Sequence, residues 1–197
     1  MRAKTLHLDT SKPIPQAEYD NALEHLINSG TWFAFNTFRS TTEVLDKFLE
    51  KGAPNDYVEV VDGAGNVSYR NLPKDAIDYL TENGILDNWD SVQGAIFRQV
   101  SAGKGEFKIR EYLYRHKFDK DLIERGIREI YHDALEEEIT RKMTTYYHVS
   151  IEDSNRFKNA ESEAEKREVL YSRFSARGYS GKEIKTWIAD NIDFSLI

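Results

Sequence analysis

Apolar residues recur at spacings of three and four along most of the chain, which is the pattern of amphipathic α-helices. In three stretches the pattern also repeats itself, with copies 65 and 61 residues apart. Five positions align across the three copies: Val44, Ile109 and Leu170; Phe48, Leu113 and Phe174; Gly52, Lys117 and Gly178; Ala53, Phe118 and Tyr179; and Val58, Ile123 and Ile184. Repetition on this scale predicts an array of similar helical units.

The same pattern predicts the individual helices, several of which begin after Ser, Thr or Pro and end at Gly. They are expected over residues 16–28, 43–52, 74–84, 89–102, 107–116, 120–131, 164–176 and 181–190. The helix from about Ile127 is expected either to run on or to restart near Asp133, and to end at about Tyr147. Four aromatic residues in 32–38 follow a predicted helix stop at Gly30. They are expected to fill a core between helices, and a ligand-stacking surface is the alternative.

The segment 57–70 breaks the helical pattern. Val58 and Val60 alternate with polar residues, as do Val67 and Tyr69, and five turn-forming residues at 62–66 separate the two runs. This arrangement predicts a β-hairpin. The hairpin would be either a surface insertion or the wing of a winged-helix-like DNA-binding regulator.

These elements predict an all-α protein of three tandem three-helix repeats with a small β-hairpin insertion at about 57–70. The predicted segments are a lead-in (1–20), the first repeat with the hairpin (21–86), the second repeat (87–131) and the third repeat (132–197). Because one such repeat cannot bury its own apolar face, neighbouring repeats are expected to share a core.

Charge argues against tight, sequence-independent binding to nucleic acid. The net charge is −7, and residues 1–103 hold 9 Lys and Arg against 15 Asp and Glu. Residues 104–186 hold 18 against 17, so a local basic stripe could still contact nucleic acid weakly. The chain has no cysteine, no apolar run that could span a membrane and no signal-peptide pattern, so a cytoplasmic location and no membrane association are expected.

Few residues suggest chemistry. Glu129 and His132 match half of the Glu-x-x-His pattern of di-iron bundles, but no second copy exists. No nucleophile motif is present, and Gly103-Lys104-Gly105 is too short for a phosphate-binding loop. The sequence therefore predicts no catalytic residue, no metal and no cofactor. A metal-dependent helical enzyme at Glu129 and His132 is the weakest of three hypotheses.

Basic residues cluster in the second and third copies of the repeat. They could be ordinary solvated positions, or they could form a stripe that contacts nucleic acid or an acidic protein groove. The candidate partner-binding residues are Arg98, Lys104, Lys108, Arg110, Arg115, Lys117, Arg173, Arg177, Lys182 and Lys185.

Three passages resemble the RecX family of bacterial regulators of the RecA recombinase. The first is Gly84-Ile-Leu-Asp87 with the helix after it, and the second surrounds Lys104-Gly105 and Ile109-Arg110. The third contains Arg177-Gly178-Tyr179-Ser180, with Tyr179 where the family has Phe. The resemblance covers about residues 40–190, and the hairpin, the acidity and the lead-in depart from it.

The resemblance implies an elongated, curved array of three three-helix units without catalytic residues. It also implies that the protein lies along the RecA filament on single-stranded DNA and inhibits its growth or ATP hydrolysis. We therefore expect a non-enzymatic regulator in recombination and DNA repair, active as a monomer, whose basic residues of the second and third repeats face the filament.

Overall fold

The computed structural model describes residues 6–195, which form ten α-helices, one π-helical segment and three short β-strands. The helices are α1 (Gln16–Thr37), α2 (Thr41–Glu50), α3 (Leu72–Glu82), α4 (Asn88–Ser101), α5 (Glu106–Arg115), α6 (Lys120–Gly126), the π-helical segment (Ile127–Ala134), α7 (Glu136–Ser150), α8 (Asn155–Lys158), α9 (Glu163–Ala176) and α10 (Gly181–Asn191). The strands are β1 (Ile14–Pro15), β2 (Val58–Val61) and β3 (Val67–Arg70). The predicted mainly helical fold with a hairpin at about 57–70 is confirmed.

The chain divides into two compact units. The first unit holds residues 6–91 together with His116–Phe118. The second unit holds Val92–Arg115 and residues 119–195. The first therefore contains α1–α3 and the three strands, and the second contains α5–α10. The division of the chain into a lead-in and three repeats stays a prediction.

The first unit supports its hairpin with a third strand. Strand β1 pairs with β2 in parallel, and β2 pairs with β3 antiparallel. At the turn, the carboxylate of Asp62 accepts hydrogen bonds from the N–H groups of Ala64 and Asn66, both at 2.8 Å. The side chains of Val58 and Val60 in β2 are buried in the core of this unit. Since an isolated hairpin is only marginally stable, β1 and this core hold it in place.

The positions aligned in the three sequence copies share burial or backbone conformation, although Val58 lies in β2 whereas Ile123 and Ile184 lie in helices. In four of the five sets all three residues are buried. These sets are Val44, Ile109 and Leu170; Phe48, Leu113 and Phe174; Ala53, Phe118 and Tyr179; and Val58, Ile123 and Ile184. The fifth set has positive φ in all three copies: +89° at Gly52, +57° at Lys117 and +93° at Gly178. The repeat found in the sequence is therefore a repeat of core positions and of helix ends.

Two of these helix ends close with the same hydrogen bonds. The residue after each glycine donates its N–H to the carbonyl five residues back, at 3.1 Å from Ala53 and 3.2 Å from Tyr179. In the second copy Lys117 takes the glycine's place, and a left-handed conformation costs such a residue about 1–2 kcal/mol. Its ammonium group lies 2.5 Å from the carboxylate of Asp46 in the first unit.

Helix α1 corrects the expectation that the chain stops at Gly30 and then fills a core with aromatic residues. The helix continues to Thr37, because Gly30 is a packing position: a Cβ atom there would lie 2.3 Å from Leu80 Cδ1. Trp32 and Phe35 are 56% and 68% exposed, so the core-filling prediction is wrong for both.

The π-helical segment lies between α6 and α7, where the sequence predicted a helix over 120–131 that either runs on or restarts near Asp133. The change to a π-helix was not predicted. Buried residues recur here at every fourth position, and the set is Ile123, Ile127, Tyr131, Leu135, Ile139, Met143, Tyr147 and Ile151. An α-helix turns by 100° per residue, so a strict four-residue period drifts by about 40° at each step. The wider turn of a π-helix, with its i→i+5 hydrogen bonds, reduces this drift and keeps Ile127, Tyr131 and Leu135 on the core side.

Replacing a buried member of the repeat should be costly. Phe48→Ala removes a fully buried ring and should lower the free energy of unfolding by about 3–5 kcal/mol. Phe35→Ala, in the same unit but exposed, should change it by less than about 0.5 kcal/mol. Urea denaturation followed by circular dichroism measures both values. Similar losses for the two variants would contradict the placement of these rings.

Candidate interaction surface

The second unit brings the start of α5 against the loop that joins α9 to α10. The N–H of Gly105 donates to the carbonyl of Arg177 at 3.0 Å, and the N–H of Phe107 donates to the carbonyl of Gly178 at 2.9 Å. A Cβ atom on Gly178 would lie 2.7 Å from the backbone nitrogen of Lys108. The close backbone contact places Lys108 and Arg177, which are 69 positions apart in sequence, beside each other.

Arg177 itself is used to hold this junction together. Its guanidinium carbon lies 3.9 Å from the ring centroid of Tyr146, a cation–π contact. Its Nη1 also donates to the carbonyl of Ala102 at 3.4 Å. Arg177 therefore has a structural role in the folded unit, in addition to any contact it makes with a partner.

Four of the predicted partner-binding residues are held in ion pairs. Lys108 and Arg115 both bind Glu111 at 2.7 Å, and Lys117 binds Asp46. Arg110 binds Glu106 at 2.7 Å and Glu124 at 2.5 Å. The exposed pairs of Lys108, Arg115 and Lys117 contribute little to stability, but each carboxylate cancels much of the local positive potential.

The electrostatics of Arg110 show how firmly it is engaged. Partial burial alone would lower the pKa of its guanidinium group, but the hydrogen bonds that it donates to Glu124 and Glu106 outweigh that effect and raise the pKa. In return, the hydrogen bond from Arg110 lowers the pKa of Glu124. The hydrogen bond from Lys108 likewise lowers the pKa of Glu111. These shifts favour the ionised forms of Arg110, Glu111 and Glu124 near neutral pH.

Five of the ten predicted residues have no ion-pair partner within residues 6–195. Arg98 lies in the last turn of α4, and Lys104 follows that helix. Arg173 lies on α9, and Lys182 and Lys185 lie on α10. All but the half-buried Lys104 are exposed. All five belong to the second unit, whereas Lys117 belongs to the first. The structure therefore divides the predicted residues into those already bound to a group of the protein and those without an ion-pair partner. A count of charges along the sequence could not make this division.

Exposed aromatic rings of the second unit were missed by the sequence analysis. Phe107 is 58% exposed, and Tyr114, seven residues further along the same helix, is also exposed. Phe97 on α4, expected close to the core, is exposed too. For Phe107 and Tyr114, the sequence could have indicated this exposure, because neither residue lies on the helix face that contains the buried Ile109 and Leu113.

The hairpin of the first unit lacks the charges expected of a DNA-binding wing. Its single basic residue, Arg70, lies 2.5 Å from the carboxylate of Asp75. Glu59 accepts a hydrogen bond from the Tyr69 hydroxyl, and Asp62 is committed to the turn. With no unpaired base, the hairpin presents acidic and apolar groups, which do not favour contact with phosphates.

Glu129 and His132 do not converge. The carboxylate of Glu129 binds Arg125 and Arg128, whose hydrogen bonds lower its pKa. The Nε2 atom of His132 lies 3.2 Å from the carboxylate of Glu106. Within the part of the chain that the structure describes, no three acidic or histidine side chains form a cluster suited to a metal ion.

No protein-family model matches the sequence. No curated protein matches it in a sequence comparison. Solved structures do match the fold. RecX from Lactobacillus salivarius has a TM-score of 0.64 and 16% sequence identity, and the match covers 90% of this chain and 99% of that one. A second structure, described as the regulatory protein RecX, has a TM-score of 0.56 and 12% identity, covering 94% and 80% of the two chains.

The protein has a RecX-like fold. The expected fold is confirmed over most of the chain, although identities of 12–16% show the fold alone. In this RecX-like chain, two passages that suggested the family, around Gly105 and around Gly178, are the two sides of one backbone contact. No helix in residues 6–195 is both long and apolar enough to cross a membrane.

Substitution at the junction should destabilise the RecX-like second unit. Gly178→Ala places a Cβ atom against Lys108 at a φ of +93°, and we expect a loss of about 2–4 kcal/mol in unfolding free energy. Gly181→Ala, three residues away in open space, should change stability by less than about 0.5 kcal/mol. Thermal and urea denaturation measure both, and equal losses would contradict the tight contact.

Proposed function

We propose that the protein binds the filament that a RecA recombinase forms on single-stranded DNA and inhibits its activity in recombination and DNA repair. The observation that carries this proposal is the RecX-like fold, which extends over 90% of the chain in one comparison and 94% in another. One of those structures is described as a regulatory protein. The proposed role needs no catalytic residue and no cofactor, and its setting is the cytoplasm.

The distribution of charge supports a protein partner over bare nucleic acid. The chain carries a net charge of −7, so long-range attraction to phosphate is weak. The unpaired bases Arg98, Arg173 and Lys185 are exposed on the second unit, and they can bind an acidic protein surface or a few phosphates of a filament. Charge complementarity of this kind mainly sets orientation and the rate of association.

We propose that the protein inhibits the filament by binding to several of its subunits at once. A regulator that contacts several subunits of a filament through separate weak contacts gains avidity, because the later contacts form at high effective concentration. A bound monomer would then oppose the changes between subunits that filament growth and ATP hydrolysis require. The exposed rings of Phe107 and Tyr114 add apolar area to the same unit.

The ATPase activity of a RecA recombinase on single-stranded DNA provides the direct test. Adding this protein at amounts comparable to the recombinase should lower the steady-state rate, and adding it before the nucleotide should lower it further, because filament growth is then also opposed. The heat-denatured protein serves as the control. An unchanged rate, together with no co-sedimentation with the filament, would rule out the proposed function.

Neutralising the unpaired bases should weaken filament binding. We expect the triple variant Arg98→Gln, Arg173→Gln, Lys185→Gln to bind about tenfold more weakly, since each exposed charge contributes up to about 1 kcal/mol. The matched control is Lys108→Gln, Arg115→Gln, Arg141→Gln, which removes the same net charge from residues that already have carboxylate partners. Fluorescence anisotropy on labelled filaments compares them.

The control variant separates local contact from overall charge. If both triple variants weaken binding equally, the effect comes from net charge and the assignment of the unpaired bases is wrong. If only the first variant loses affinity, these bases contact the filament directly.

A further inference from the structure

A cleft of about 670 Å³ opens in the second unit beside the π-helical segment. One border is formed by that segment and by α7, and the other border is formed by α10. Glu106 and Ser180 complete the lining. Of the ten predicted residues only Lys182 lines the cleft, so the cleft and the surface described above share that one residue.

The floor of the cleft is apolar. Ile139 and Met143 from α7 and Trp187 from α10 line it, and all three side chains are otherwise buried in the core. The indole N–H of Trp187 donates to the hydroxyl of Thr144 at 3.0 Å, which fixes the ring in the floor. Such a floor suits the hydrocarbon part of a ligand.

Carboxylates dominate the charge around this floor. Two of them are already engaged. Glu183 accepts a hydrogen bond from the Tyr131 hydroxyl at 2.5 Å, and Glu106 binds Arg110 and His132. Burial, together with the charge of Glu183, raises the pKa of Tyr131, which keeps its phenol protonated as a donor.

Two other carboxylates of the cleft have no ion-pair partner in residues 6–195. Glu136 lies in the first turn of α7, and Asp190 lies near the end of α10. Asp190 adds a negative charge to the negative end of the helix dipole, and the last turn of α10 contains no basic residue. A cation bound beside Asp190 would offset this accumulation of negative charge.

We propose that this cleft binds an arginine side chain of a partner polypeptide. The aliphatic stem would lie on the apolar floor, and the guanidinium group would donate to Glu136 and Asp190 on the two helices that border the cleft. Arginine fits because its planar fork can donate to two carboxylates at once and its stem packs on apolar surface. The inference goes beyond the proposed function, since its two binding carboxylates are not among the predicted residues and it does not depend on a recombinase.

Nα-acetyl-arginine methylamide is the probe, observed through the indole N–H signal of Trp187 in ¹⁵N-labelled full-length protein. The chain contains three tryptophans, and Trp187→Phe assigns the signal. We expect a saturable shift with a dissociation constant of about 1 mM, as suits a ligand of this size. Nα-acetyl-citrulline methylamide, a neutral molecule of nearly the same shape, should bind at least about tenfold more weakly, because charged hydrogen bonds contribute more.

Three protein variants test the charges. Glu136→Gln with Asp190→Asn should weaken arginine binding about tenfold, at about threefold for each exposed charge. Glu137→Gln removes the same charge from the same helix turn outside the cleft and should have no effect. Lys182→Gln removes the competing cation of the lining and should tighten binding by about threefold.

The proposal is overturned if no saturable Trp187 shift develops up to about fifty times the expected dissociation constant. It is equally overturned if citrulline binds as well as arginine, or if Glu137→Gln weakens binding as much as the double variant. Because the probe is a small molecule, these outcomes do not depend on the recombinase ATPase assay, so either proposal can fail while the other holds.

Discussion

The second unit depends on two backbone segments that approach more closely than side chains would allow. Gly105 and Gly178 face each other across the start of α5 and the end of α9, where added Cβ atoms would lie within 3 Å of the opposite backbone. The positive φ of Gly178 turns the chain out of α9 toward α10 while its carbonyl bonds Phe107. Helices α5, α9 and α10, and the basic residues that they carry, take their relative positions from this contact.

That arrangement also decides which charges are available. Along the sequence, Arg110 and Arg173 look alike, since each is a base on a repeat helix. In the folded unit, Arg110 is clamped by two carboxylates, and Arg173 is exposed without one. An ion pair within the protein must be broken or shared before its base can bind a partner. The unpaired bases are therefore the better candidates for contact, whichever partner the protein has.

The π-helical segment follows from the spacing of the buried residues along this part of the chain. A four-residue period of buried side chains, from Ile123 to Ile151, cannot stay on one side of a regular α-helix. The chain meets this constraint by widening the helix and then starting α7 after Leu135. Tyr131 and His132 lie in that widened stretch, and both line the cleft.

The sequence by itself determined most of the helices, the hairpin and the recurrence of buried positions, because these depend on local periodicity and on residues that end helices. The sequence alignment placed Gly52, Lys117 and Gly178 at one position of the repeat, and all three have positive φ in the structure. The strict period around Tyr131 was also present in the sequence, although a wider helix was not inferred from it. Motif order further pointed to the RecX-like fold that the comparisons then showed.

Only the tertiary structure decided what surrounds each side chain. Glycine often ends a helix, yet Gly30 lies inside α1 because Leu80 packs against it. Trp32 and Phe35 lie on the continuation of the same helix, where their rings are exposed. Pairs such as Lys117 with Asp46 join residues 71 positions apart, and the cleft gathers residues from Glu106 to Asn191. Burial and charge pairing depend on contacts between distant segments, and periodicity along the chain does not specify them.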